Sequence, residues 1–170
     1  MRIGVISDTH GRIHEQVPAV FAGVAHILHA GDIGGDHIIQ ALQRIAPVTA
    51  VSGNNDAASG EEIVRGEVEG LRFLLTHILP RPHGPDRRVL ENLRKKPADV
   101  VVFGHSHLPH DERVNGTWYF NPASAGPRRF DLPVSVGIFE RHKGRWRGYH
   151  VALDERSKGA LQSRMNQLSR

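Results

Sequence analysis

Five short segments of this 170-residue chain carry side chains that could act together on one ligand. They are Ser7-Asp8-Thr9-His10-Gly11, Ala30-Gly31-Asp32, Ser52-Gly53-Asn54-Asn55-Asp56, Thr76-His77 and Gly104-His105-Ser106-His107. Any one of them is a turn or a cap as readily as a binding site; the ordered set is what points to chemistry. Asp8, Asp32, His10, His77, His105, His107 and the amide oxygen of Asn54 pool two carboxylates, four imidazoles and one carbonyl-type oxygen. Mixed nitrogen and oxygen donors suit Mn²⁺, Fe²⁺, Co²⁺, Ni²⁺ or Zn²⁺ better than Mg²⁺ or Ca²⁺, which prefer all-oxygen shells. The set is too large for one tetrahedral ion and fits two ions if a carboxylate bridges them. Two divalent ions less two carboxylates leave a charge of about +2, a field that draws a phosphate ester.

Each segment follows a stretch that reads as a strand. Arg2 to Ile6, Ala25 to His29 and Val48 to Val51 are short, apolar and rich in β-branched residues, as are Leu71 to Thr76 and Val100 to Phe103. Helical spacing runs from Glu15 to Ala25, where Pro18 is tolerable only in a first turn, and from Asp36 (expected as N-cap) to Ile45. Strand, helix, strand, helix, strand predicts βαβ units and a parallel sheet, whose ligands gather where the loops converge beyond the strands' carboxyl ends. Within Asp8-Thr9-His10 and His105-Ser106-His107, positions i and i+2 of an extended backbone point the same way, so each pair can address one region.

The second half changes character. Glu62 to Glu69 alternates weakly, Pro80 to Pro85 is a Pro-rich loop, and Asp86 to Lys95 reads as a basic helix. Asn115-Gly116 between Asp111–Val114 and Thr117–Phe120 is a two-residue hairpin signal, and Lys143-Gly144 joins Val134–Glu140 to Arg145–Val151. A main domain over residues 1–152 and a polar tail over 153–170, with Leu161, Met165 and Leu168 at helical spacing, complete the division. The expected fold class is α/β, with two mixed sheets packed face to face and helices outside.

Composition narrows the rest. With 22 Lys+Arg against 18 Asp+Glu the net charge is +4, and no long basic run announces nucleic acid. The two Trp and two Tyr are scattered along the chain, which also argues against a base-stacking platform. There are 12 His and no Cys, so thiolate metal sites, cysteine nucleophiles and a disulfide framework are excluded. The opening apolar run is too short for a signal segment, and no stretch approaches the ~18 apolar residues of a membrane span. A cytoplasmic protein is expected, and the hairpin edges leave room for a homodimer.

The ordered motifs Asp8-Thr9-His10, Gly31-Asp32, Gly53-Asn54-Asn55-Asp56, His77 and Gly104-His105-Ser106-His107 resemble those of the calcineurin-like metallophosphoesterases. Asn121-Pro122-Ala123-Ser124 followed by Pro127-Arg128 is similar to the compact YfcE-like phosphodiesterase branch, which also includes the retromer scaffold subunit. The resemblance covers roughly residues 1–151. It implies a four-layer αββα sandwich. It further implies one ion on Asp8, His10 and His107, a second on Asn54, His77 and His105, and Asp32 between them, with Mn²⁺ first among the candidate ions. Asp32, Asn55 and Asp56 are then the candidates for the reacting positions, and Asn55 and Arg128 for contacts to substrate phosphate. The implied activity is hydrolysis of a small phosphodiester by a hydroxide bridging two divalent ions. A phosphomonoesterase or nucleotidase, and a non-catalytic scaffold on the same fold, are the alternatives.

Departures from the family pattern carry their own implications. Many larger relatives have His where this chain has Asn55, and an amide cannot donate a proton near neutral pH. His77 is followed by Ile78 and Leu79, where the family commonly has Gly and a polar residue. Ala123 stands where Gly is usual.

Overall fold

The computed structural model describes residues 1–57, 60–79 and 87–168, with side chains up to residue 163. Among the described residues, ten strands form two five-stranded sheets. The first contains β1 (Arg2–Ile6), β2 (His26–His29), β3 (Val48–Ala50), β9 (Ser135–His142) and β10 (Arg145–Ala152), in the order β10-β9-β1-β2-β3. The second contains β4 (Ile63–Val68), β5 (Leu71–Thr76), β6 (Val100–Val102), β7 (His110–Val114) and β8 (Thr117–Asn121), in the order β4-β5-β6-β8-β7. In the first sheet β1-β2-β3 run parallel, with β3 at the edge and the antiparallel β9-β10 hairpin beside β1; in the second, β5-β6-β8 run parallel between their antiparallel hairpin partners β4 and β7.

Alternation along each strand explains the layers. In β1, Ile3 and Val5 face the other sheet while Ile6 faces the helices. In β6, Val100 and Val102 point inward and Val101 outward. The inter-sheet core joins these to Leu28, Leu71, Phe73, Leu75, Trp118, Phe120 and Phe139. Outside the first sheet, Val17, Phe21, Ile38 and Leu42 of the helical segments cover Ile6, Ile27 and Ile138. Outside the second, Val89 covers Leu74, Val101 and Tyr119. Full burial of each aliphatic side chain contributes about 1.5–3 kcal/mol, so strands buried on both faces hold their carboxyl-end loops firmly.

The helices differ from the sequence expectation at their ends. α1 is only Val17–Val20, because Pro18 restricts it at the start and Gly23 turns the chain at φ +75° soon after its end. α2 runs Asp36–Gln43 with Gly35, not Asp36, at the N-cap; Asp36 sits in the first turn, where its charge favours the helix dipole. α3 spans Arg87–Lys95, and the Pro80–Pro85 loop and Asp86 lie outside the described residues. The tail forms α4 (Glu155–Leu168), which packs against β10 and β7. Asp154 accepts the Ser157 amide at its start (2.8 Å), and Leu161 is buried. No described helix is long and apolar enough to cross a membrane.

Candidate metal centre

The five loops predicted to carry chemistry meet at the carboxyl ends of β1, β2, β3, β5 and β6, and main-chain hydrogen bonds bind them to one another. Asp8 N donates to Gly31 O (3.0 Å), His10 N to Asp32 O (2.9 Å), and Gly104 N to His77 O (3.0 Å). The 121–125 segment closes the back: Ser124 Oγ donates to Asp8 O (3.0 Å), and Asn121 Nδ2 donates to Gly104 O (2.8 Å). Glycine is required where these loops touch. A Cβ on Gly53 would lie 2.2 Å from Asp32 Oδ1, and one on Gly104 would lie 2.0 Å from Ser7 Oγ and 2.7 Å from Asp8 Oδ2.

The side chains converge in two adjoining groups. In the first, His107 Nε2 lies 3.1 Å and His10 Nε2 3.9 Å from Asp8 Oδ1, and the two imidazole nitrogens are 3.3 Å apart. In the second, His77 Nε2 and His105 Nδ1 each stand 3.0 Å from Asn54 Oδ1. Asp32 Oδ2 lies between the groups, 3.7 Å from His10 Nε2 and 3.4 Å from His77 Nε2. Asp8, His10 and His107, and again Asp8, Asp32 and His77, have ligand atoms close enough to share one ion.

The hydrogen bonding around these atoms tests the fit of a cation. His77 Nδ1 donates to Ala30 O (2.8 Å), which leaves a lone pair on Nε2 facing the oxygens of Asn54 and Asp32. Acceptor thus faces acceptor. Asp8 Oδ1 is buried and accepts no hydrogen bond among the described residues. A buried carboxylate oxygen without a donor is costly, and a positive ion is the species that relieves it. The residues present fit divalent metal.

Backbone strain marks the same residues. Asp8, His10, Asp32, His105 and His107 all adopt left-handed φ, from +46° to +67°. For residues with a Cβ this region is uncommon and costs about 1–2 kcal/mol each, and it persists only where the surroundings overdetermine it.

Electrostatics favours an ionised Asp32. Burial alone would raise the Asp32 carboxyl, but the Asn55 amide (2.9 Å to Oδ1) and side chain (2.7 Å to Oδ2), with His77 and His10 beside it, hold it below the usual range. Burial, then the charge of Arg129, lowers the His10 imidazole, so it stays neutral and able to ligate at neutral pH.

Two sequence expectations change place. Asp56, expected among the reacting groups, accepts the main-chain N–H groups of Ile33 (3.0 Å), Gly34 (2.9 Å) and Gly53 (2.8 Å). Three amides occupy its carboxylate, so it pins the β2 and β3 loops together. Arg128, expected at substrate phosphate, instead binds Asp154 (2.6 and 2.7 Å), Ser157 Oγ (3.0 Å) and Leu132 O (2.8 Å). Its exposed neighbour Arg129 is the arginine whose charge reaches His10. Asn55 is at the centre, bound to Asp32 through both its amides.

Sequence reading missed the support behind the ligands. His29, fully buried at the end of β2, accepts Gly31 N–H on Nδ1 (3.2 Å), so its proton sits on Nε2 and goes to Thr9 Oγ1 (3.0 Å). Thr9 passes its own proton to Ile33 O (2.9 Å). Burial pushes the His29 imidazole down to about 4, so the ring is neutral at pH 7. This chain of donors ties the Asp8-His10 loop to the Asp32 loop. A polar ring closing the apolar run Ile27-Leu28, three residues before Asp32, was the available signal.

The family description "calcineurin-like phosphoesterase superfamily domain" matches residues 1–144, and the chain belongs to that family. A probable metallophosphoesterase of Methanothermobacter thermautotrophicus is 37% identical over 145 residues, covering 80% of this chain and 84% of that protein. The phosphodiesterase YfcE of Escherichia coli is 26% identical over 167 residues, 82% of this chain and 88% of its own, consistent with the compact YfcE-like branch. Among solved structures, wild-type Vps29 of Entamoeba histolytica complexed with Zn²⁺ superposes with a TM-score of 0.66 at 20% identity, covering 91% of this chain and all of that one.

Proposed function

We propose that this metallophosphoesterase is a phosphodiesterase working with two divalent ions. Asp8, His10 and His107 hold one, Asn54, His77 and His105 the other, and Asp32 lies between. The observation that carries the reading is the convergence of carboxylate, amide and imidazole atoms, with the His77 Nε2 lone pair turned toward the Asn54 and Asp32 oxygens, on backbone held in the left-handed region. Two such ions supply a water acidified to hydroxide near neutral pH and positive charge for the phosphoryl oxygens. Mixed imidazole and oxygen donors make Mn²⁺ the first ion to test, with Ni²⁺, Co²⁺, Fe²⁺ and Zn²⁺ behind it.

The chain's own residues do the rest. Asn55 keeps Asp32 ionised and aligned with one side-chain N–H, and its second is free to meet a phosphoryl oxygen. Arg129 adds positive charge that reaches His10. Asn55 offers no proton to a departing alkoxide, and general-acid help of that kind is worth roughly 10²–10⁴ in rate. Aryl diesters such as bis(p-nitrophenyl) phosphate are therefore expected to turn over far faster than alkyl diesters. Equal rates across leaving groups of very different pKa would contradict this assignment.

The test is metal-stripped protein titrated with each ion and assayed on an aryl monoester, an aryl diester and a cyclic nucleotide. Diester turnover restored by metal, and lost in Asp32→Ala by at least the roughly 10²–10³ typical of one electrostatic stabiliser, is the expected result. Undiminished activity in Asp32→Ala removes the proposed site, and preference for the monoester removes the diesterase assignment. The fold shared with the Zn²⁺-bound Vps29 favours a second reading, a scaffold that binds metal without turnover. Metal binding with no hydrolysis of any of the three substrates would favour that reading.

A further inference from the structure

At the amino-terminal ends of β5, β6 and β8, opposite the metal centre, lies an open groove of about 880 Å³. Leu71, Trp118 and Trp146 form its apolar floor, where the inter-sheet core reaches the surface. Arg113, Lys143, Arg145 and Arg147 bring four positive charges to its rim. The acidic groups beside them are few: Asp99 is bound by Arg72 (2.5 Å), and Glu140 stands 3.9 Å from Arg147. Trp118 is buried and its indole N–H donates to Asp111 (2.7 Å), while the Arg113 guanidinium stacks 4.8 Å above its ring and donates to Trp146 O (3.3 Å). Trp146 is only partly buried, so part of its ring faces the groove.

The two tryptophans, separated in sequence by a long stretch of chain, are the only two the protein has, and folding brings both to this one groove. The scatter that argued against a stacking platform is a property of the sequence alone.

We propose that this groove binds single-stranded nucleic acid, independently of the metal centre. Charge complementarity calls for an anion, and the half-buried Trp146 ring, backed by the buried Trp118, calls for a flat apolar group beside it. Each nucleotide of a single strand brings both, a base with a π-face and a phosphate, whatever its sequence. A duplex hides its bases, and an acidic peptide must supply carboxylates and apolar side chains in one particular order. Guanidinium forks also match phosphate oxygens in pairs, and three of the four rim cations are arginines.

The test uses the intact protein and a fluorescein-labelled oligothymidylate, read by anisotropy and by quenching of intrinsic tryptophan fluorescence, which reports on this groove alone. Four phosphate contacts predict a log–log salt slope of about −2.8, which is a roughly 50-fold loss of affinity between about 50 and 200 mM salt. Lys143→Asn with Arg145→Gln should bring that slope to about −1.4. Asparagine suits the left-handed φ of +47° at position 143, so the hairpin turn survives. The double variant should hydrolyse the aryl diester at the wild-type rate, and Asp32→Ala should bind the oligonucleotide as wild type does. The proposal is overturned by absent binding, by unquenched tryptophan in the complex, or by binding lost in Asp32→Ala and kept in the double variant. Equal affinity for the duplex, or for polyglutamate, overturns it as well. None of these outcomes bears on whether the metal centre hydrolyses phosphodiesters.

Discussion

The two ends of the sandwich reach the same unusual backbone region for different reasons. At the amino-terminal end of β5, β8 and β10, three hairpins turn through Glu69-Gly70, Asn115-Gly116 and Lys143-Gly144, each with both residues at positive φ. There the torsion closes a ladder whose twist demands it, and a glycine takes half of each turn at no steric cost. At the carboxyl end, Asp8, Asp32, His105 and His107 take left-handed φ outside any hairpin, and His10 does so beside Gly11 in a tight turn that Arg12 N closes on Thr9 O (2.9 Å). These positions cannot be relieved by glycine, because their side chains are what the geometry presents. Strain in a turn serves the fold; strain at these five positions works against it and is held by the surrounding hydrogen bonds.

The carboxyl end should therefore tolerate little. Gly104→Ala forces a methyl against Ser7 and the Asp8 carboxylate, and is expected to cost about 1–3 kcal/mol and to abolish metal-dependent turnover. Thermal melts together with metal titration would show both losses, and normal metal binding in this variant would break the comparison.

Acid should act on the same end. Unfolded, His29 takes up a proton near its ordinary value of 6.5; in the fold it does so only at about 4. Between those values the unfolded chain binds more protons, so stability declines as pH falls through the window. The decline is on the order of 3 kcal/mol for this one residue. Burial lowers His26 and His150 in the same direction. Urea unfolding of metal-free protein across pH 4 to 7 measures the decline, and a His29→Gln variant should flatten it.

A subtler intervention is Thr9→Val, which leaves His29 Nε2–H and Ile33 O without their shared partner. Metal affinity is expected to fall about 10–100-fold, as for loss of a ligand's outer support, and Thr9→Ser to restore it. Isothermal titration with Mn²⁺ separates the two variants; a valine that binds as threonine does would reduce the relay to packing. The smallest effect belongs to the opposite end. Glu69→Asn should stabilise by up to about 1 kcal/mol by easing a left-handed residue, with turnover unchanged.

Much of this architecture was legible because apolar runs and their punctuation are local. β1, β5 and the Asn115-Gly116 hairpin lie where periodicity and turn chemistry put them. The donors of the candidate centre were legible too, since five such segments in order, each closing a strand, are informative as a set. What the sequence withheld depends on orientation. Asp56 and Arg128 have the right chemistry and the right neighbourhood, but three backbone amides claim one and Asp154 the other. His29 stayed hidden for the converse reason: a lone histidine in a strand has no pattern until Thr9 is seen opposite. Helix ends were the least legible, as Gly35 in place of Asp36 illustrates, because a cap is decided by the approach of the preceding loop.

The Arg128–Asp154 clamp has a reach beyond its own ion pair. It fastens the root of the terminal helix to the very segment that delivers Arg129 toward His10. Shortening the protein behind Ala152 would thus slacken a mooring line whose other end lies beside the candidate metal centre, and a change made in the tail would be felt first in the charge that reaches His10.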